Sequence, residues 1–326
     1  MKYHTECLFL KAMSDIKYTF FLPAYKGRFL NEMLSSIQGQ TLTNFKVVIS
    51  DDCSPDDLYS ICKPYLSDSR FTYRRNAENM GSKSLVSHWN LLVDMCDTEF
   101  LIMASDDDVY EPNFLEEIDK LTVKYPEVDL FRARAKKMNG KGESTHTENK
   151  SEEFLDNIHF IHRFYGEDFI ACESNYCYRT NRLKHNKGFV DFPLAWFSDD
   201  ATHFVMSENG CCITQDVEFG FRNTNLQISS IWGDPVDCVK KMNATYDYYG
   251  WMRCFMDRFD DSDIKNKIEK KWRNKTRSVI QNHIYHCPPR WFFSFLLRCP
   301  SDVGPSKIRI LAHYINAKYY NIRHAK

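Results

Sequence analysis

The stretch "YTFFLPAYKGRFLNEMLSSIQGQTLTNFKVVISDDCSPDD" (residues 18–57) changes its hydrophobic period twice, and that change decides the fold class. "YTFFLP" is an apolar run of strand length; Phe29, Leu30, Met33, Leu34 and Ile37 then recur on one helical face; "KVVIS" returns to strand length. A strand, a helix and a second strand in such close order make a βαβ unit, whose helix must be buried on a parallel sheet. The alternation continues. Ser54 and Pro55 read as N-cap and first-turn residue of a helix with Leu58, Ile61, Cys62 and Tyr65 inward. "RFTYRR" follows as a strand, and Leu85, Val86, Trp89 and Val93 mark the next helix. "EFLIMA" is again a strand; Phe114, Leu115, Ile118 and Leu121 form another helical face, and "DLFRAR" closes the series. The pattern predicts an α/β fold, a doubly wound and mostly parallel sheet with helices on both faces.

Beyond it, residues 139–152 ("NGKGESTHTENKSE") carry almost no apolar content and read as a flexible excursion. A helix over 152–165, a strand at "NYCYR", a helix in "WFSDDATHFVMSENG" and a strand at "CITQDVEFGFR" come next, and from Asp234 the pattern is helical and basic. The expected division is an N-terminal extension (1–17), a main domain (18–233, with halves at 18–138 and 153–233) and a basic helical region (234–326).

The 326 residues are 43% apolar and 27% charged, with a formal charge of −1. That near-neutrality hides an asymmetry, for residues 240–326 hold 18 Lys and Arg against 7 Asp and Glu. Twelve cysteines are scattered without a regular framework, which fits reduced thiols and a cytoplasmic protein. The opening residues lack the apolar core of a signal peptide, and no window approaches the ~20 apolar residues of a membrane span. "PPRWFFSFLLR" (288–298), flanked by Arg290 and Arg298, has two readings: a helix lying on an anionic membrane surface, such as the inner face of the plasma membrane, or a helix packed on the main domain.

In a doubly wound sheet, sites form in the loops after the carboxyl ends of the strands. Three loops there hold polar chemistry: "PAYKG" (23–27), "SDDCSPDD" (50–57) and "SDDDVYEP" (105–112). Asp106, Asp107 and Asp108 suit a hard divalent cation, which takes carboxylate oxygens together with substrate phosphates; the alternative is an acidic first turn of the helix beginning near Pro112. Asp51 and Asp52 can accept hydrogen bonds from a base or ribose, or form an Asx turn. In "FPLAWFSDDATHF" (192–204), Asp199 and Asp200 raise one another's proton affinity, as a general base requires, while Ser198 or Asp199 could instead cap a helix. Glu173 and Trp196 could line a sugar pocket, and Arg222 could meet phosphate, against the plainer surface, core and strand-end roles.

Taken together, "FFLPAYKGRFLNEMLSSIQGQTLTNFKVVISDDCSPDD", "NAENMGSKSLVSHWNLLVDM" and "EFLIMASDDDVYEPNFLEEI" resemble family 2 glycosyltransferases of the GT-A fold, in particular those that build bacterial surface polysaccharides. The resemblance is strong over residues 18–125 and looser to about 225. It implies that Pro23, Ala24 and Tyr25 pack around the nucleotide base, that Asp52 accepts from a uracil imide, and that Asp106 lies toward the ribose. It implies Asp107 as principal ligand of Mn²⁺ or Mg²⁺, assisted by Asp108, with Ser105 standing where many relatives carry their first Asp. It implies Asp200 as the base beside Asp199, with Glu173, Trp196 and Arg222 near sugar or acceptor.

The activity so implied is a metal-dependent, inverting transfer of a sugar from a nucleotide donor, UDP-linked, to a hydroxyl of a glycan or lipid-linked saccharide, with no nucleic-acid partner. No GxxxxGK[ST] phosphate loop is present, so the cation would carry more of the charge on the leaving diphosphate. Two rivals stand beside this reading. A sugar-1-phosphate nucleotidyltransferase would need a Gly-rich basic loop after the first strand, where Gly27 is the one glycine, and a binding module without turnover would keep the nucleotide loops alone.

Overall fold

A computed structural model describes residues 16–224, 234–302 and 307–324. Most of the expected N-terminal extension, and the 225–233 end of the main domain, lie outside the described residues. The core is a ten-stranded sheet. Strands β1 (Tyr18–Ala24), β2 (Phe45–Asp51), β3 (Phe71–Arg75) and β4 (Phe100–Met103) form a parallel block in the order β3-β2-β1-β4. Further along the chain come β5 (Val109–Tyr110), β6 (Leu130–Met138), β7 (Ser144–Thr147), β8 (Phe154–Leu155), β9 (Tyr176–Arg179) and β10 (Cys211–Arg222). The sheet continues β9-β6-β10-β5, with β9 antiparallel to both β4 and β6, and β10 parallel to β6. Its long strands are thus mostly parallel, with β9 set antiparallel between two parallel blocks and the short β5, β7 and β8 pairing antiparallel with β10, β6 and β10.

The strand residues are apolar on both faces, as a sheet covered on both sides requires. In β1, Phe20 and Leu22 belong to one buried cluster and Phe21 to the other, the period of two expected of a strand. Helices α1 (Leu30–Gln38), α2 (Leu58–Cys62) and α4 (Phe114–Lys124) pack on the first face; α3 (Gly81–Met95), α5 (Asn157–Phe164), α6 (Thr180–His185) and α7 (Ser198–Met206) pack on the second. The C-terminal region is helical, comprising α8 (Pro235–Met256), α9 (Asp263–His283), α10 (Pro289–Arg298) and α11 (Lys307–His324). It extends the second cluster through Met242, Tyr248, Met252, Trp272 and Ile280.

Two expectations are corrected and one is narrowed. The helix after β2 starts at Leu58, capped by Asp57, whose carboxylate accepts from the Ser60 amide at 3.1 Å; Ser54 instead donates to the Tyr25 carbonyl. Residues 139–152 are no loose excursion, because β7 pairs antiparallel with β6 and Glu148 is buried against Arg132 at 3.0 Å. A short polar edge strand has no apolar alternation to betray it. Finally, α10 buries Phe292, stacked on Tyr314 at 3.6 Å, and Phe295, so half of its apolar run serves internal packing. Among the described residues no helix is long and apolar enough to cross a membrane.

Candidate active site

The strand ends place the three expected loops side by side. The Asp106 carboxylate accepts from the backbone amides of Tyr25 (2.8 Å) and Lys26 (2.7 Å), which ties the acidic loop after β4 to the loop after β1. The Asp52 amide donates to the Ala24 carbonyl at 2.9 Å, and the Gly27 amide to Asp56 Oδ2 at 2.9 Å, tying in the loop after β2. Two backbone donors partly compensate the burial of Asp106, yet burial still holds its carboxyl up at about 6.

The three adjacent aspartates point three ways, and this is how their repulsion is managed. Asp106 faces the first loop. Asp108 is buried, its Oδ1 accepting from the Arg222 amide (2.9 Å) and its Oδ2 from Ser105 Oγ (2.6 Å); burial and the charge of Asp107 push it up to about 7. Asp107 lies between them on the wall of a cavity, where Oδ1 accepts from Ser105 Oγ at 3.0 Å and Oδ2 makes no hydrogen bond. That oxygen, a hard donor on a residue lining the cavity, suits a divalent cation whose other ligands come from a diphosphate and water. Both Asp108 oxygens are already engaged, so the structure gives it an anchoring part. Among the described residues no group of three His, Cys, Asp or Glu is arranged to hold a metal by itself, so a cation here needs its substrate.

Arg222 is the clearest correction. Instead of meeting phosphate it is buried behind the acidic loop, donating from Nε to the Asp107 carbonyl (2.8 Å), pairing with Glu32 (2.7 Å) and lying over the Phe29 ring at 4.3 Å. The methyl of Ala24 is part of the core below the loop. Tyr25 keeps an exposed ring, as a stacking partner needs.

Asp52 is buried, accepting from Asn76 Nδ2 (2.9 Å) and from the Met80 and Gly81 amides (2.8 and 2.7 Å), and thereby caps the start of α3. Beneath it His88 Nε2 sits 3.0 Å from Ser50 Oγ, its burial depressing its basicity so that it serves as a neutral spacer.

On the other side of the cavity stand Asp199 and Asp200, in the first turn of α7. The capping role foreseen as their plainer alternative is not what the structure shows: Phe197 occupies the N-cap position, without any side-chain cap hydrogen bond, and Ser198 Oγ accepts from the Phe192 amide at 3.1 Å. Burial and the adjacent Asp200 charge push the Asp199 carboxyl up to about 7. The chain reaches α7 through left-handed backbone at Leu194 (φ 60°), Ala195 (φ 55°) and Phe197 (φ 70°), none of them glycine. Such residues cost energy and persist where packing imposes them; here Phe197 stacks on Tyr248 of α8 at 4.4 Å.

Asp106 to Asp108, the Asp199–Asp200 pair, Glu173, Trp196 and Trp89 line one cavity of about 470 Å³. Glu173 is not a surface residue. It accepts from Tyr178 OH (2.7 Å) and lies 3.0 Å from His203 Nε2, and burial raises its carboxyl well above the usual range. Trp196 forms the wall with Lys241 Nζ 4.9 Å from its ring. The sequence reading missed Tyr178, His203 and Lys275. Tyr178 lies on a strand without any motif, His203 lies three residues past the acidic pair in the quoted 192–204 segment, and Lys275 lies 75 residues beyond Asp200, to which its Nζ approaches within 3.4 Å.

This arrangement, strand-end acidic loops on one half and a carboxylate pair on the other, agrees with a family match: the family model described as glycosyl transferase family 2 covers residues 19–189, just over half of the chain. The chain belongs to glycosyl transferase family 2. Within that family, the chain is 23% identical over 330 residues to poly(ribitol-phosphate) beta-N-acetylglucosaminyltransferase TarS of Staphylococcus aureus strain MW2, covering 93% of this chain and 54% of the relative. The chain therefore spans about half the length of the curated relatives it matches. Among solved structures, S. aureus TarS 1–349 in complex with UDP-GlcNAc superposes with a TM-score of 0.57 at 16% identity, covering 92% of this chain and 88% of the other. Mannosyltransferase PcManGT from Pyrobaculum calidifontis, in complex with GDP-Man and Mn²⁺, gives 0.54 at 12% identity over 94% and 80%. Both likenesses speak for a shared GT-A fold.

Proposed function

We propose that this chain is a metal-dependent, inverting glycosyltransferase that moves a sugar from a UDP-linked donor to a hydroxyl of a glycan or lipid-linked saccharide in surface-polysaccharide synthesis. The observation that carries the reading is the single cavity into which Asp107 and the Asp199–Asp200 pair both open. A donor diphosphate on one wall and an acceptor hydroxyl on the other would then meet across the anomeric carbon. The names of the relatives support the donor class, UDP-GlcNAc being bound to one and GDP-Man with Mn²⁺ to another. The acceptor named for TarS, a poly(ribitol-phosphate), supports a polymer rich in hydroxyl groups.

In this mechanism Tyr25 stacks on the base, Asp52 shapes the base pocket through the α3 cap and its remaining acceptor capacity, and Asp106 fixes the first loop beside the ribose. Asp107 would hold Mn²⁺ or Mg²⁺, which when bound supplies Lewis-acid stabilisation of the leaving diphosphate. Asp200 takes the proton of the acceptor hydroxyl as it attacks the anomeric carbon from the face opposite the diphosphate, with Asp199 beside it in the same helical turn. Trp196 and Trp89 give the sugar an apolar wall, and Glu173 offers a polar contact.

Turnover of a panel of nucleotide sugars, with Mn²⁺ and with EDTA, tests this. Transfer abolished in Asp107→Asn and Asp200→Asn, with donor binding impaired mainly in the first, is the expected result. Donor binding without transfer in the unmutated protein would favour the binding-module rival, and sugar-1-phosphate consumption with nucleoside triphosphate the nucleotidyltransferase. A membrane surface stays in the proposal as a second partner, through the exposed Trp291, Phe293 and Leu297 of α10.

A further inference from the structure

We propose that Lys275, supplied by α9 of the basic C-terminal region, is a positioning residue for the transfer reaction: its ammonium group holds the Asp200 carboxylate aimed at the acceptor hydroxyl. This rests on Asp200 as the base. Three observations carry it. Lys275 Nζ stands 3.4 Å from Asp200 Oδ2, and among the described residues it is the one cation paired with that carboxylate. The ammonium group is seated in an aromatic cradle, 5.3, 5.6 and 5.7 Å from the ring centroids of Phe164, Tyr165 and Phe197, so its place is built by α5 and by the strained segment leading into α7. Lys275 also lines the cavity, with its side chain 42% exposed, so it acts at the reacting face.

The surroundings explain why a cation is needed there. The groups that face the pair are acids: Asp199 beside it, Glu173 across the cavity, and the hydroxyls of Tyr165, Tyr248 and Tyr178. Tyr165 and Tyr248 bond one another at 2.8 Å. Two adjacent carboxyls in such a site compete for one proton. A base must be the member that lacks it, and an opposite charge beside one member assigns the proton to the other. Lys275 stands beside Asp200 alone, while burial and the neighbouring charge favour the proton on Asp199.

The test uses the full chain, with release of UDP from UDP-GlcNAc and Mn²⁺ as readout, with and without a glycan acceptor, between pH 5 and 9. Lys275→Met should lower kcat ~10-fold to 100-fold at pH 7, leave donor KM within about twofold, and move the acidic limb of the kcat profile upward by about one pH unit. Lys275→Arg should keep that limb where the unmutated protein has it. Lys275→Met on top of Asp200→Asn should add no further loss, since both act on one group. A substrate-free measurement runs in parallel: the thermal midpoint of Lys275→Met should fall more steeply with rising pH than that of the unmutated chain. A Lys275→Met profile superimposable on the unmutated one, or a rise in acceptor KM alone, overturns the inference in favour of a structural or acceptor-binding cation. If Asp200→Asn stays active, the functional reading itself fails; if it is inactive while Lys275→Met keeps its profile, the inference alone fails.

Discussion

The two acidic loops of the cavity are built on opposite plans. Around Asp106–Asp108 the protein supplies donors in advance: two amides for Asp106, an amide and a hydroxyl for Asp108, and a buried guanidinium on the Asp107 carbonyl. Around Asp199 and Asp200 it supplies no cap hydrogen bond, a strained approach, and one ammonium group reaching over from a distant helix. The first plan fixes carboxylates in place so that one oxygen is left for a ligand. The second leaves two carboxylates under-compensated, which is costly for folding and useful for moving a proton.

Several experiments would break or sharpen that contrast. The largest effect is expected for Asp200→Asn, a loss of ~10² to 10⁴ in kcat with donor affinity retained, read by steady-state kinetics and calorimetry; Asp107→Asn should instead weaken donor binding in Mn²⁺. If both variants gave the same binding defect, the two loops would not have separate jobs. Arg222→Met should come next. It removes the charged hydrogen bond to the Asp107 carbonyl and should cost ~1.5 to 3 kcal/mol in denaturant unfolding, with weaker donor binding and little change in the acceptor half.

A smaller effect concerns pH. The folded protein holds the Asp199 proton to about pH 7, whereas an unfolded aspartate releases it near pH 4, so the folded state binds more protons between those values. Stability should therefore fall as pH rises across that window, and Asp199→Asn should flatten the fall and raise the melting temperature above pH 7. A variant that melts lower than the unmutated chain at pH 8 would show that the pair is structurally satisfied after all. The smallest effect is at the surface: Leu297→Glu should reduce sedimentation with anionic vesicles at low salt, and equal recovery of both proteins would remove the membrane from the partners.

The sheet and its helices were legible because Phe20, Leu22, Val47 and Ile49 carry strand spacing and Met33, Leu34 and Ile37 carry helical spacing, and burial then follows. The strand-end aspartates were legible because topology singles out those loops. What escaped was decided by partners far away in the chain. Ser54 looked like a cap, but Asp57 captured the Ser60 amide. Glu148 looked solvated, yet the guanidinium of Arg132 draws it inside. Arg222 looked like a surface phosphate ligand, and Lys275 like one basic residue among many, until the fold set each against an acidic loop.

The family match ends at residue 189, while Asp199 and Asp200, the Phe197–Tyr248 stack and Lys275 all lie beyond it. On the proposed reading the matched span holds the donor loops and the acceptor side is completed by helices beyond it, while the likeness to TarS continues over 93% of the chain. If the proposed reading holds, a fragment trimmed to the matched span would keep the nucleotide loops and lose the proton acceptor.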